Sequence, residues 1–133
     1  PSVHLVMHGS SSVPQDLLAQ INAFGGKIPE TFGVPLAEIQ EGIRHGVRKI
    51  NIDTDLRLAA TGAIRQYMAE NPSEFDPRKY LGCSLKAMQK VCEERFVAFG
   101  CQGHADSIRS KSLESMVAFY QAVASKDAQD AAV

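Results

Sequence analysis

No apolar run in this 133-residue chain approaches the roughly 20 residues that a membrane-spanning helix needs. Nor does a basic segment followed by an apolar stretch mark a targeting signal at its start, and cytoplasm is the expected compartment. A formal net charge of −1 offers no basic excess, which argues against nucleic-acid and anionic-membrane partners. Cysteine is scarce: residues Cys83, Cys92 and Cys101 are odd in number and never form Cys-x-x-Cys, which excludes a disulfide framework and a zinc knuckle. No internal repeat at solenoid spacing and no low-complexity block is present. Strands are also in short supply, since only two segments read as strands and none follows residue 55. A two-stranded parallel sheet leaves edges and faces uncovered, so the chain is expected to be incomplete as a fold. Its start at Pro1, without Met and directly before a strand, reads as a processed end or as part of a longer chain.

What is there is a strand–helix–strand–helix pattern. Residues 3–7 form a short apolar run that ends at His8 and a Gly/Ser cluster, and they predict a buried strand. Pro14 stands near a helix start; Leu17, Leu18, Ile21 and Phe24 share helical spacing, and Gly25-Gly26 ends that helix. Pro35 suits a first helical position, Leu36, Ile39 and Ile43 line one face, and Gly46 is a C-terminal cap. A second strand is predicted over 47–52. A helix over 56–70 presents Leu56, Ala60, Ala63, Ile64, Tyr67 and Met68, and Asn71-Pro72 stops it. The connection is long enough for the crossover that parallel strands require. Helices are then expected over 76–100, with a face at Leu85, Met88, Cys92, Phe96 and Phe99, and over 112–125, with Leu113, Met116, Val117 and Tyr120. Ser112 can cap the last helix, Cys101 to Ser110 reads as a polar loop, and residues 126–133 are expected to fray. The whole reads as an α/β fold, with residues 1–70 forming the strand–helix part and 76–125 a helical part.

Chemistry gathers at the two strand ends, where α/β folds bind ligands. His8, held at a strand end, is placed either as a rigid metal ligand or as a hydrogen-bonded structural imidazole; a catalytic zinc needs about three protein ligands. Gly9-Ser10-Ser11-Ser12 offers successive backbone N–H groups and hydroxyls, the ingredients of an anion nest, or else a plain polar turn. In Asn51-Ile52-Asp53-Thr54-Asp55, strand alternation puts Asn51 and Asp53 on one side, and a helix N-terminus that favours an anion follows. Thr54 or Asp55 is the expected ordinary cap of that helix. Asn51 must be hydrogen-bonded if buried beside carboxylates. Asp76-Pro77-Arg78 reads as a helix start with a surface arginine suited to phosphate. His4 reads as structural or as a contact with parts of the fold beyond this chain, and His45 and His104 need no role beyond structure.

His8-Gly9-Ser10-Ser11-Ser12-Val13-Pro14, then Gly46-Val47-Arg48-Lys49-Ile50-Asn51-Ile52-Asp53-Thr54-Asp55, then Phe75-Asp76-Pro77-Arg78, resemble in order and spacing the class II, metal-dependent fructose-bisphosphate aldolases. The likeness is nearest to the bacterial branch associated with the Calvin cycle, which also handles sedoheptulose bisphosphate, and it covers about residues 3–125. Members of that family are longer (β/α)8 barrels. The resemblance therefore implies the C-terminal portion of a TIM barrel, with strands 7 and 8, their helices and a C-terminal helical extension. It implies His8 as one of three histidine ligands of a catalytic Zn(2+), and Gly9 and Ser11, with Thr54, as binders of the C1 phosphate of the dihydroxyacetone-phosphate half. Asn51 would contact the enediolate and Asp53 a substrate hydroxyl. Arg78 would reach across a homodimer or homotetramer interface to the distal phosphate. A monovalent cation near Gly9 is a further implication. Many relatives carry Gly where this chain has Ser10 and Ser12. The implied reaction is zinc-dependent cleavage of fructose 1,6-bisphosphate, the isolated segment being inactive without the rest of the barrel. Tagatose or sedoheptulose bisphosphate is the alternative substrate, and a non-catalytic α-rich interaction module the alternative class.

Overall fold

The computed structural model describes residues 3–130, with α and β elements in the order anticipated. Strand β1 (Leu5–Met7) is followed by helices α1 (Gln15–Ala23) and α2 (Leu36–Arg44), then strand β2 (Val47–Ile50) and helices α3 (Thr54–Glu70) and α4 (Pro77–Ala98). These elements belong to one compact unit that ends at Cys101. The remainder forms a second unit, with a short 3-10 turn at Ala105–Ser107 and helix α5 (Leu113–Asp130). Among the described residues, no helix is long and apolar enough to cross a membrane.

The two strands are parallel neighbours. Leu5 pairs with Val47, Val6 with Lys49 and Met7 with Ile50, so β2 contributes one extra residue to the ladder, at Arg48. One further rung, from Asn51 N–H to the Met7 carbonyl (3.0 Å), carries the pairing to the strand ends. Both strands are shorter than the apolar runs predicted. The buried character expected of β1 is also not realised: Leu5 and Val6 are each 49% exposed. A central parallel strand is covered on both faces and both edges, and the described residues provide β1 with one strand neighbour.

The core forms instead between the helices and the first loop. Val13, Leu18, Ile21 and Leu58 pack together, with Leu17 and Ile28 against them. Gly62 of α3 faces α1, where the Gln20 side-chain amide lies over it. The inward side of α3 is Asp55, Leu58, Ala59 and Gly62, one position away from the stripe that periodicity suggested, which is only partly buried. A similar offset applies to α4, where Ser84 and Val91 are the buried residues. The predicted face at Leu85, Cys92 and Phe96 is exposed. Cys92 and Phe96, with Val91, Phe99, Ile43, Val47 and Ile50, line an apolar groove of about 490 Å³ beside β2.

Local capping follows the sequence where it is chemically strong. The Asp76 carboxylate accepts from Arg78 N–H (3.0 Å) and Pro77 takes the first turn of α4, where its missing donor costs nothing. Gly46, with φ +111°, follows the last turn of α2 in the left-handed region that disfavours a side chain. Ser112 Oγ accepts from Ser115 N–H (3.2 Å) at the start of α5. That helix runs on to Asp130, beyond the predicted end at 125; residues 131–133 of the expected frayed tail lie outside the described residues.

Candidate substrate-binding crevice

A crevice of about 440 Å³ opens where β1 and β2 end together. Gly9, Ser10 and Ser11 line one side, and Ile50, Asn51, Ile52, Asp53 and Thr54 the other. It is separate from the slightly larger groove beside β2, which is apolar and shares only Ile50 and Ile52 with it.

The two strand ends meet through side chains. Asn51 Nδ2 lies 2.8 Å from His8 Nδ1, while Lys49 Nζ donates to Asn51 Oδ1 (2.8 Å). The ammonium fixes which end of the amide faces the imidazole. In this arrangement Asn51 donates to His8 Nδ1; binding a metal through Nε2 would put the ring proton on Nδ1 and turn the Asn51 amide so that its oxygen accepts. Lys49 has no place among the sequence-derived candidates; an alternating strand that puts 49 and 51 on one side is the signal that could have found it. Asn51 is thus hydrogen-bonded as its position requires, and Asn51 and Asp53 both line the crevice although β2 stops at Ile50. Asp53 is solvent-facing and paired with Arg57 at i+4 (2.8 Å).

The helix cap departs from expectation. Asp53 occupies the N-cap position of α3 without a side-chain bond, and neither Thr54 nor Asp55 caps it. Ser11 does so from the opposite loop: its hydroxyl oxygen accepts from Thr54 N–H (3.1 Å) and Asp53 N–H (3.3 Å). An oxygen thus sits on the positive end of α3, as the helix dipole favours. Gly9 has φ +62°, and no atom lies within 4 Å of the place a Cβ would take, so its backbone stays open towards the crevice.

Asp55 has a different task. It is fully buried and receives Ser12 N–H (3.1 Å), Ser12 O–H (2.9 Å), Val13 N–H (2.8 Å) and Arg95 Nη2 (3.1 Å). Burial pushes its pKa up, but the bonds from Val13, Ser12 and Arg95 together outweigh that, and the carboxyl titrates below the ordinary aspartate value. Arg95 also donates to Ser12 Oγ (2.7 Å). Val13 is held at φ +52°, a left-handed conformation for a β-branched residue that costs about 1–3 kcal/mol. Sequence reasoning missed Arg95 because its partners lie 40 and 83 residues away.

Ser10 and Ser12, the two positions where the resemblance leads one to expect glycine, spend their hydroxyls inside the loop. Ser10 is fully buried and its hydroxyl lies 2.7 Å from the Asn51 carbonyl and 3.1 Å from that of Met7, tying loop to strand. Ser12 joins the Asp55 network. Gly33 supports the loop from outside: Val34 N–H donates to Ser11 O (3.1 Å), an approach that a Cβ at Gly33 would block.

The other candidates stand apart. Arg78 does not line the crevice; its exposed guanidinium is clamped by Asp76, whose carboxyl that pairing holds below its usual value. His45 contacts Glu41 (2.8 Å) at the end of α2. Among the described residues, no group of three His, Cys, Asp or Glu side chains is placed to hold a metal ion. His8 fits one ligand position, with Asn51 on its Nδ1, and not a whole site.

The profile of the fructose-bisphosphate aldolase class-II family matches residues 2–104. A protein named fructose-bisphosphate aldolase from Pseudomonas aeruginosa is 62% identical over 120 residues, 90% of this chain and 34% of that protein. The aldolases of that name from a Nostoc species and Xanthobacter flavus are 62% and 59% identical over 120 residues, again 90% of this chain and 33% and 34% of theirs. The chain spans about a third of the length of these relatives. It belongs to the class II fructose-bisphosphate aldolase family.

Proposed function

We propose that the chain is the C-terminal portion of a zinc-dependent aldolase that reversibly cleaves fructose 1,6-bisphosphate to dihydroxyacetone phosphate and glyceraldehyde 3-phosphate. In this reading β1 and β2 are strands 7 and 8 of a TIM barrel, residues 76–125 are its C-terminal helices, and the whole chain is a segment of one barrel domain. The remainder of the barrel covers the exposed strands and the groove beside β2. The single observation that carries the reading is the crevice at two parallel strand ends. There an imidazole, an amide, a serine-rich loop that begins with a glycine and a helix N-terminus converge, the place where barrels bind phosphate and carry out chemistry.

Each side chain then has a part. Gly9 and Ser11 offer the C1 phosphate a backbone N–H and a hydroxyl, with Thr54 beside them at the start of α3. Asn51, steered by Lys49, presents its amide to the enediolate oxygens, and Asp53 accepts from a substrate hydroxyl. Phosphate anchoring fixes the ketose so that binding energy supports carbon–carbon cleavage. His8, with ligands from the rest of the barrel, would hold the zinc, whose chemistry there would be to polarise the ketone. Gly9 and nearby carbonyls would help hold a monovalent cation. Arg78, displayed at the start of α4, reaches the distal phosphate of a partner subunit's substrate in a cytoplasmic homodimer or homotetramer serving glycolysis, gluconeogenesis or the Calvin cycle.

The full-length enzyme containing this segment tests the reading. Fructose 1,6-bisphosphate is expected to be turned over faster than tagatose or sedoheptulose bisphosphate, and the isolated 133-residue chain is expected to show no turnover. His8→Ala should lose zinc by metal analysis, whereas Asp53→Ala should lower turnover and keep it. Full zinc in the His8 variant, or turnover by the isolated segment, refutes the assignment.

A further inference from the structure

We propose that Arg95 is a positioning residue for phosphate recognition, acting on the crevice loop through Ser12 and Asp55. This rests on the reading of Gly9 and Ser11 as phosphate binders.

The loop between β1 and α1 does not hold its shape unaided. Val13 lies in a left-handed conformation that its branched side chain disfavours. Its N–H and that of Ser12 are bound by the two oxygens of one carboxylate. That carboxylate, Asp55, is fully buried, and a buried charge persists only if paired and hydrogen-bonded. Arg95, 12% exposed, is the cation in contact with it. The same guanidinium nitrogen also donates to Ser12 Oγ at 2.7 Å, so Arg95 both neutralises the anchor and grips the loop. Ser11 and Gly9 precede this anchored stretch closely, and Ser11 Oγ in turn meets the α3 N-terminus. The side chains of Ser12, Asp55 and Arg95 do not themselves line the crevice wall where a phosphate would bind. Arg95 therefore acts through the backbone, and its removal should weaken phosphate binding more than the bond-breaking step.

The test uses the full-length enzyme with Arg95→Gln, Arg95→Lys and Ser12→Ala, reading KM and kcat for fructose 1,6-bisphosphate and the Kd of inorganic phosphate by competition. Arg95→Gln should raise KM and the phosphate Kd about tenfold, with kcat falling less than about threefold. Arg95→Lys, which restores charge without the fork, should recover part of the loss. Ser12→Ala, which leaves the ion pair whole, should move Kd in the same direction by roughly two- to threefold, and it decides the matter should Arg95→Gln fail to fold. Native enzyme that binds phosphate, beside variants whose phosphate Kd is unchanged, overturns this proposal alone. So does a fall in kcat at constant Kd. Native enzyme that neither cleaves fructose 1,6-bisphosphate nor binds phosphate overturns the functional reading and this proposal with it.

Discussion

Adding one methyl group at Gly33 should cripple the crevice from outside it. An ideal Cβ there would lie 2.1 Å from the Ser11 carbonyl oxygen, 2.7 Å from the Ser12 carbonyl carbon and 2.9 Å from its oxygen, where ordinary contact begins at 3.4 Å. The obstruction is backbone, so no side chain can swing away. Either the loop carrying Ser11 or the stretch of chain carrying Gly33 must retreat by about 1.3 Å. Gly33 itself is not in the left-handed region, so the penalty is spatial and not conformational. Overpacking of this kind costs about 1–3 kcal/mol, and loss of the Val34 N–H to Ser11 O bond adds about 1 kcal/mol. A displacement near 1 Å of a substrate-positioning loop can lower activity by about a hundredfold. Gly33→Ala in the full-length enzyme should therefore reduce kcat/KM for fructose 1,6-bisphosphate by about 10- to 100-fold and lower the thermal midpoint by several degrees. Gly82→Ala is the matched control. Nothing lies within 4 Å of its Cβ position in α4, and alanine there should be neutral for activity and stabilising by up to about 1 kcal/mol. A Gly33→Ala enzyme with native kcat/KM and midpoint would refute the reasoning.

Two further expectations concern stability. Asp55→Asn should destabilise the enzyme by about 3–5 kcal/mol, because it leaves Arg95 buried without its counter-charge. The native carboxyl titrates below its unfolded value, so its contribution is present above about pH 4 and is lost as pH falls through the lower folded value. Thermal midpoints between pH 3 and pH 6 should accordingly fall more steeply for native enzyme than for Asp55→Asn, and parallel curves would contradict the assignment. Ser10→Ala deprives the Asn51 carbonyl of its hydroxyl partner, while the Met7 carbonyl keeps Asn51 N–H; a loss of about 1–2 kcal/mol in urea unfolding is expected, and an unchanged midpoint would show that the bond contributes nothing.

What could be read from the sequence was local. The Gly46 cap and the Asp76-Pro77 helix start rest on chemistry within a few residues, and both appear in the structure; the approach of the two strand ends followed from the strand–helix–strand pattern and is present too. The role of Asp55 was not legible. A carboxylate at the start of a helix reads as a cap, and only the fold brings Arg95, 40 residues away, to bury it. Ser11 as the cap of a helix 43 residues later is hidden for the same reason. The α4 stripe at Leu85, Met88, Cys92, Phe96 and Phe99 has sound spacing and packs into no core within this chain: Leu85, Cys92 and Phe96 are exposed, and Met88 and Phe99 are half-buried. Periodicity identifies apolar faces, but it does not identify which of two faces meets a partner inside the same chain.

The extra residue in β2 has a consequence for phase. Were the ladder regular from the Leu5–Val47 pair onwards, Met7 would stand level with Lys49 and His8 with the apolar Ile50. Because Val6 skips to Lys49, Met7 meets Ile50 and His8 arrives opposite Asn51. A bulge shifts everything downstream by one side chain and so exchanges inward for outward positions. Arg48, the residue passed over, folds back to donate to the carbonyls of Ile43 and Val47, both at 2.9 Å. An irregularity at the entrance of the strand pair thus sets, a few residues later, which two side chains face each other at its exit.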